Sequence, residues 1–197
     1  MIRYLKRGLE VEVTSASLAR ALAENDRSVP SADIERLAEV VFTVVSGVPD
    51  ALQRVLGMSK DERCGQAIGF AVGSILKYLV DPDDLISESE QGHIGLLDDS
   101  YLVHTFVTQL AMTYPYAVAD TIYAGPNKRA LNVVAALLPD GVAQSLARTC
   151  ETIILVAQGL FVAGRAGAPS TNEHKIKLRV AAAVDALAAA GEHQHSS

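Results

Sequence analysis

The sequence predicts an all-α protein, a single compact domain of about six or seven helices with a helical hairpin around an acidic loop. Three observations predict it. Hydrophobic residues make up 49% of the chain, and their excess lies in alanine, valine and leucine, with no tryptophan at all. Alanine and leucine are good helix formers, and small side chains let helices approach closely. Apolar residues also recur at helical spacing, and proline, glycine and Ser/Thr-x-x-Glu signals punctuate the stripes. At 197 residues the chain is long enough for one sizeable core. Residues 1–30 read as an N-terminal arm and first helix, 31–190 as the helical core, and 191–197 as a disordered polar tail.

Leu9-Glu-Val-Glu-Val13 alternates with period two, the pattern of a short strand, but with no sheet to join it reads as an arm, an edge partner or part of a helix. Ser15 to Asn25 is helical in composition and ends at Ser28-Val29-Pro30. Ser31 is placed to cap a helix with Ile34, Leu37, Val41 and Val44 on one face, widened by Val40, Phe42 and Val45. Pro49 bends or restarts that helix, and Gly57 closes it. Ser59-Lys60-Asp61-Glu62 is a capping box ahead of a stripe of Cys64, Ile68, Ala71, Ile75 and Leu79. A second stripe beside it is Gly65, Gly69 and Gly73. Interior glycines cost about 1 kcal/mol each against alanine. The stripe therefore predicts burial against another helix of the chain, with self-association and membrane contact as the alternatives.

Past the acidic segment, Asp98 or Asp99 caps a helix that points Leu102, Val103, Phe106, Val107 and Leu110 inward and is ended or kinked by Pro115. Pro126 opens a short helix to about Leu138. Pro139 begins a long one with Val142, Leu146, Ile153, Ala157 and Leu160 on one side. Ser170-Thr171-Asn172-Glu173 is a second capping box, launching a last helix with Ile176, Val180, Val184 and Leu187 in register.

The charge is concentrated in one place. The run DPDDLISESEQGHIGLLDD, residues 81–99, holds seven of the 23 acidic residues and none of the 17 basic ones. The rest of the chain is close to neutral, so the net charge of -6 belongs to this segment. That balance excludes general nucleic-acid binding, which needs a basic face. No stretch reads as a signal peptide or a transmembrane span: Ile153 to Gly164 is short, and Cys64 to Val80 is interrupted by Gln66 and Lys77. A soluble, cytoplasmic protein is the expectation, with Cys64 and Cys150 as buried free thiols.

Catalytic signatures are missing. The sequence has no HExxH, CxxC, GxSxG, Walker loop or dinucleotide fingerprint. An EF-hand counted from Asp81 fails, with Ile86 where glycine is required and Gly92 where glutamate is required. His104 falls on the face opposite Phe106 and Leu110 and reads as exposed. His193 and His195 sit in the polar tail, and Tyr114, Tyr116 and Tyr123 read as residues that clamp a loop onto the core.

Two readings fit the acidic segment. Its carboxylates can each serve locally, ending one helix, supporting a turn and capping the next. Alternatively Asp81, Asp84, Asp98 and Asp99 converge and share magnesium or calcium, the cations that oxygen ligands without cysteine would select.

Tyr78-Leu79-Val80-Asp81-Pro82-Asp83-Asp84-Leu85-Ile86, followed by Gly95-Leu96-Leu97-Asp98-Asp99, resembles the YkvA-like family of small bacterial domains. The resemblance covers about residues 68–106. It implies a helical hairpin and a bacterial origin, and no reaction. Ser87 and Glu88 stand where the family has proline and aspartate, and Ser89-Glu90-Gln91 replaces an apolar stretch, so the loop tip is charged here.

The expected function is that of an interaction or regulatory module rather than an enzyme. It would self-associate as a homo-oligomer, need no cofactor, and present an acidic surface with Glu88, Glu90 and His93 to a basic protein partner. Gly65, Gly69 and Gly73 are the second candidate contact. A divalent-metal-dependent enzyme with magnesium or calcium on the four aspartates is the alternative. A further one is peripheral membrane association through Ile2, Tyr4, Leu5 and their basic neighbours.

Overall fold

Prolines, glycines and short polar clusters set the breaks in the chain, and the helices between them pack around one helix that is apolar on most of its surface. The structure, a computed structural model, describes residues 2–6, 9–25, 30–80, 96–117 and 125–165. Within them the order is β1 (Ile2–Lys6), β2 (Leu9–Val13), α1 (Ser15–Asn25), α2 (Ser31–Ser46), α3 (Val48–Met58), α4 (Gly65–Val80), α5 (Leu97–Thr113), a 3-10 turn (Pro115–Ala117), α6 (Lys128–Leu137) and α7 (Val142–Arg165). This is an all-α domain, with one short hairpin at its start.

That hairpin corrects the lone strand expected at Leu9–Val13. β1 and β2 pair antiparallel, with Ile2 opposite Val13 and Lys6 opposite Leu9. Only Arg7 and Gly8 separate the last pair, the spacing of a tight hairpin. Val13 is fully buried and joins the helical core. Thr14 then starts α1 with a reciprocal cap: its amide donates to Ser17 Oγ, and the Ser17 amide donates to Thr14 Oγ1, each at 3.0 Å.

Helix α5 is the hub. It packs against α2, α3, α6 and α7, while α1 lies on α2, and α4 lies on α3 and α7. The two helices that flank the acidic segment thus both lean on α7. Leu102, Val103, Phe106, Val107 and Leu110 are all buried, as their spacing predicts. The stripes of the other long helices are likewise inward: Ile34, Val41 and Val44 on α2, Ile68, Ala71 and Ile75 on α4, and Leu146, Ile153 and Ala157 on α7. Cys64 and Cys150 are free and buried. Burial pushes the Cys150 thiol far up from its ordinary value, and its Sγ lies 3.6 Å from the Leu102 carbonyl oxygen, tying α7 to α5.

Several helix starts differ from expectation. Ser31 is the first residue of α2, and Pro30 holds the cap position with no side-chain bond. The expected capping box at Ser59 is not a helix start: the Ser59 hydroxyl donates to the Leu56 carbonyl at 2.7 Å and its amide closes α3 on Val55. Arg63 takes the cap's material instead. Its amide donates to Asp61 Oδ1 at 2.8 Å and its guanidinium to Asp61 Oδ2 at 2.7 Å, which holds the Asp61 carboxyl well below the usual carboxylate range. Asn127, not Pro126, caps α6, accepting the Ala130 amide at 2.9 Å. Gly57 lies inside α3, one residue before its end. Pro139 precedes the turn from which α7 starts at Val142, and its carbonyl accepts the Val142 amide. Pro115 does end α5, one residue after its Tyr114 cap.

Ser31–Met58, spanning α2 and α3, is long and apolar enough to cross a bilayer by length and composition alone. Pro49 interrupts it, and its buried residues pack in the core with α5 and α6. The second capping box at Ser170, the helix from Ile176 to Leu187, the tail from Gly191, Tyr123, His193 and His195 lie outside the described residues.

Candidate functional site

Of the five polar residues buried among those described, four lie on α5 and one, Thr149, on α7. Asp98, Ser100 and His104 are at most 1% exposed, and Asp99 is 9% exposed. An apolar core does not take up four polar side chains without a reason, since each must be hydrogen-bonded or stabilised to offset lost hydration.

Asp98 and Asp99 lie inside the first turn of α5; the cap position belongs to Leu96, with no side-chain bond. Their expected role as caps is therefore corrected to that of first-turn carboxylates. Asp98 Oδ1 accepts the Asp99 amide at 2.9 Å. There they face the positive end of the helix dipole, an arrangement worth about 0.3–1 kcal/mol per charge at a surface and more when partly buried. Ser100 turns its hydroxyl back to the Leu96 carbonyl at 2.6 Å, satisfying itself within the helix.

His104 is the largest departure from expectation. It is fully buried, and Nε2 lies 2.7 Å from the Val44 carbonyl oxygen at the end of α2. A carbonyl only accepts, so Nε2 carries the proton and donates it. Burial lowers the pKa of the imidazole from its ordinary value, and the bond to Val44 raises it in partial opposition. The neighbouring chain is shaped to admit the ring. Gly47, between α2 and α3, has no side chain, and a Cβ there would sit 3.1 Å from His104 Cε1. The sequence signal for this site was the pairing of Gly47 with Pro49, which marks a break in an otherwise continuous apolar helix. Gly47→Ala is expected to destabilise the fold by about 1–3 kcal/mol, because the imidazole cannot yield without losing its bond. A chemical denaturation midpoint equal to or above that of the parent would contradict this.

The glycine stripe falls differently from expectation. Added Cβ atoms at Gly69 and Gly73 would meet nothing within 4 Å, and both residues are exposed. They are not buried against another helix of the described chain. Gly65 is the tight one, since a Cβ there would collide with the Ser59 carbonyl oxygen as the chain turns out of α3. Leu76, 37% exposed, lies on the same outward side of α4.

Of the four candidate metal ligands the structure brings Asp98 and Asp99 together in one turn. Asp81 and Asp84 lie outside the described residues, as do Glu88, Glu90 and His93. Among the described residues no group of three histidine, cysteine, aspartate or glutamate side chains is arranged to hold an ion. Tyr114 is buried at the end of α5, where its carbonyl accepts the Ala117 amide at 3.0 Å and fixes the 3-10 turn. The chain matches no family model, no curated protein and no solved structure.

Proposed function

We propose that this chain is a bacterial, cytoplasmic, non-enzymatic interaction or regulatory module that self-associates through the outer face of α4 and offers the acidic segment 81–95 to a basic protein partner. The observation that carries the reading is the outer face of α4. Gly69 and Gly73 interrupt a helix interior at a cost of about 1 kcal/mol each, yet no described residue stands within 4 Å above either, with Leu76 on the same side. A second α4 crossing there would bring two backbones close and cover that leucine. The YkvA-like spacing from Tyr78 to Asp99 supports the bacterial origin and the paired helices, and the concentration of negative charge supports a basic partner.

Light scattering and sedimentation at tens of micromolar test it. A mass of twice 20.9 kDa is expected for the parent chain. Gly69→Leu should block the close approach and return a monomer. Because the site is exposed in the single chain, the same substitution should leave that monomer no less stable, and by helix propensity about 0.8 kcal/mol more so. A monomeric parent protein, or a dimer indifferent to Gly69→Leu, would remove the reading.

The buried Asp98 and Asp99 support the second reading, a divalent-metal-dependent enzyme. Its test is thermal melting with magnesium or calcium. On the primary reading the melting temperature stays constant. A shared cation would instead stabilise by about 2.7 kcal/mol at a hundredfold excess over its dissociation constant, and Asp98→Asn would abolish that gain.

A further inference from the structure

We propose that the junction between α2 and α3 is a proton-gated hinge, with His104 of α5 as its latch. The junction is weak by construction. Pro49 has no N–H to return to the carbonyl four residues back, so the helical ladder breaks at this point. Gly47 sits in the break with its amide turned to the Val44 carbonyl at 3.2 Å, a tighter turn than an α-helix makes. The same carbonyl takes His104 Nε2 at 2.7 Å, from a residue sixty positions away. One side chain therefore joins the hub helix to the end of α2, just where Pro49 interrupts the helical ladder.

The latch is set for a neutral ring. His104 is fully buried, and its ring lies against the bare backbone of Gly47. Charging a buried imidazole costs desolvation that the neutral form does not incur. Among the described side chains of the helices packed on α5, these charged ones are exposed: Asp33, Glu35, Arg36 and Glu39 on α2, Asp50 on α3, Lys128 and Arg129 on α6, Arg148 and Glu151 on α7. Arg54 on α3 is half-buried, as is Tyr101 one turn before His104, and Asp98 and Asp99 are six and five residues before it on other faces of α5. Moving α3 away from α5 hydrates the ring, so the opened form binds a proton more readily than the closed form. Acidification then favours opening. The surface uncovered would be Val48, Ala51 and Val55, all buried in the closed form.

Amide hydrogen exchange, corrected for the intrinsic effect of pH, reads this directly. Between pH 7.5 and 5.0 the opening constant for residues 44–55 should rise up to tenfold per pH unit below about 6.5, the signature of one proton taken up. Protection in α4 and α7 should stay higher than at the junction throughout, falling only as far as the global stability falls. In His104→Gln, whose amide can still donate to Val44 but does not titrate, the junction should exchange at a rate independent of pH. In the unmodified protein, the His104 ring signal followed by NMR should titrate together with junction opening. A junction whose protection is constant over this range in the unmodified protein overturns the hinge. So does an equal pH dependence in His104→Gln, or a junction whose protection equals that of α4 and α7 at every pH.

Discussion

Phe106→Ala is expected to lower the stability of the domain by about 3–5 kcal/mol, the usual range for emptying a buried aromatic site. Among the described residues Phe106 is the largest fully buried side chain, at 1% exposure, and it stands midway along the helix that touches α2, α3, α6 and α7. Because those helices approach α5 from different directions, none can fill the void without leaving another contact. Relaxation should be small and the cost should fall toward the upper part of the range. In a chain of this size the melting temperature should drop by roughly 6–20 °C. Met112→Ala, on the same helix but 78% exposed, should stay within about 0.5 kcal/mol of the parent. Urea midpoints with unchanged slopes measure both. A loss below about 1.5 kcal/mol for Phe106→Ala would mean that α5 is not the centre of the core.

The helical class and most inward faces were readable because they depend on period alone. The residues Leu102, Val103, Phe106, Val107 and Leu110 repeat at helical spacing, and burial follows whatever the partners are. Helix starts were less readable, because the same letters serve two ends. Ser59 with Glu62 three residues on has the form of a capping box, yet Ser59 closes α3 and Asp61 is engaged by Arg63. The hairpin was hidden in β1, where Tyr4 and Leu5 stand side by side and blur the alternation that β2 shows cleanly. The glycine stripe was noticed, but spacing does not say whether a neighbour from the same chain or from another one takes the space.

The site was legible by composition and illegible by face. Asp98, Asp99 and His104 were visible as the chemically distinctive residues near the start of α5, but face reasoning placed His104 in water because it lies opposite Phe106. That inference assumes a helix with one buried side. α5 has helices on several sides, so its far face is also interior, and no pattern within α5 announces this except the near absence of charge between Ser100 and Thr113. The complementary signal lies earlier in the chain, in Gly47 and Pro49.

His104→Leu carries that pairing to its second large effect. Leucine keeps most of the volume but removes the imidazole donor and leaves the Val44 carbonyl to the Gly47 amide, a buried hydrogen bond lost at about 0.5–1.5 kcal/mol. The loss should be greatest at neutral pH and should narrow in acid. The folded-state pKa of His104 is lowered relative to the unfolded chain. Above the unfolded value near 6.5 the ring is neutral in both states and the parent has its full stability. As pH falls from there toward the lowered folded value, the unfolded chain binds the proton first, and the parent loses up to about 1.4 kcal/mol per pH unit. Leucine has no proton to bind, so the variant lacks this part of the slope. Urea denaturation of both proteins at pH 7.5 and 5.0 gives the comparison, the remaining titrating groups being common to the two. A stability difference that is constant or larger at pH 5.0 would mean that the imidazole is not held neutral by its burial.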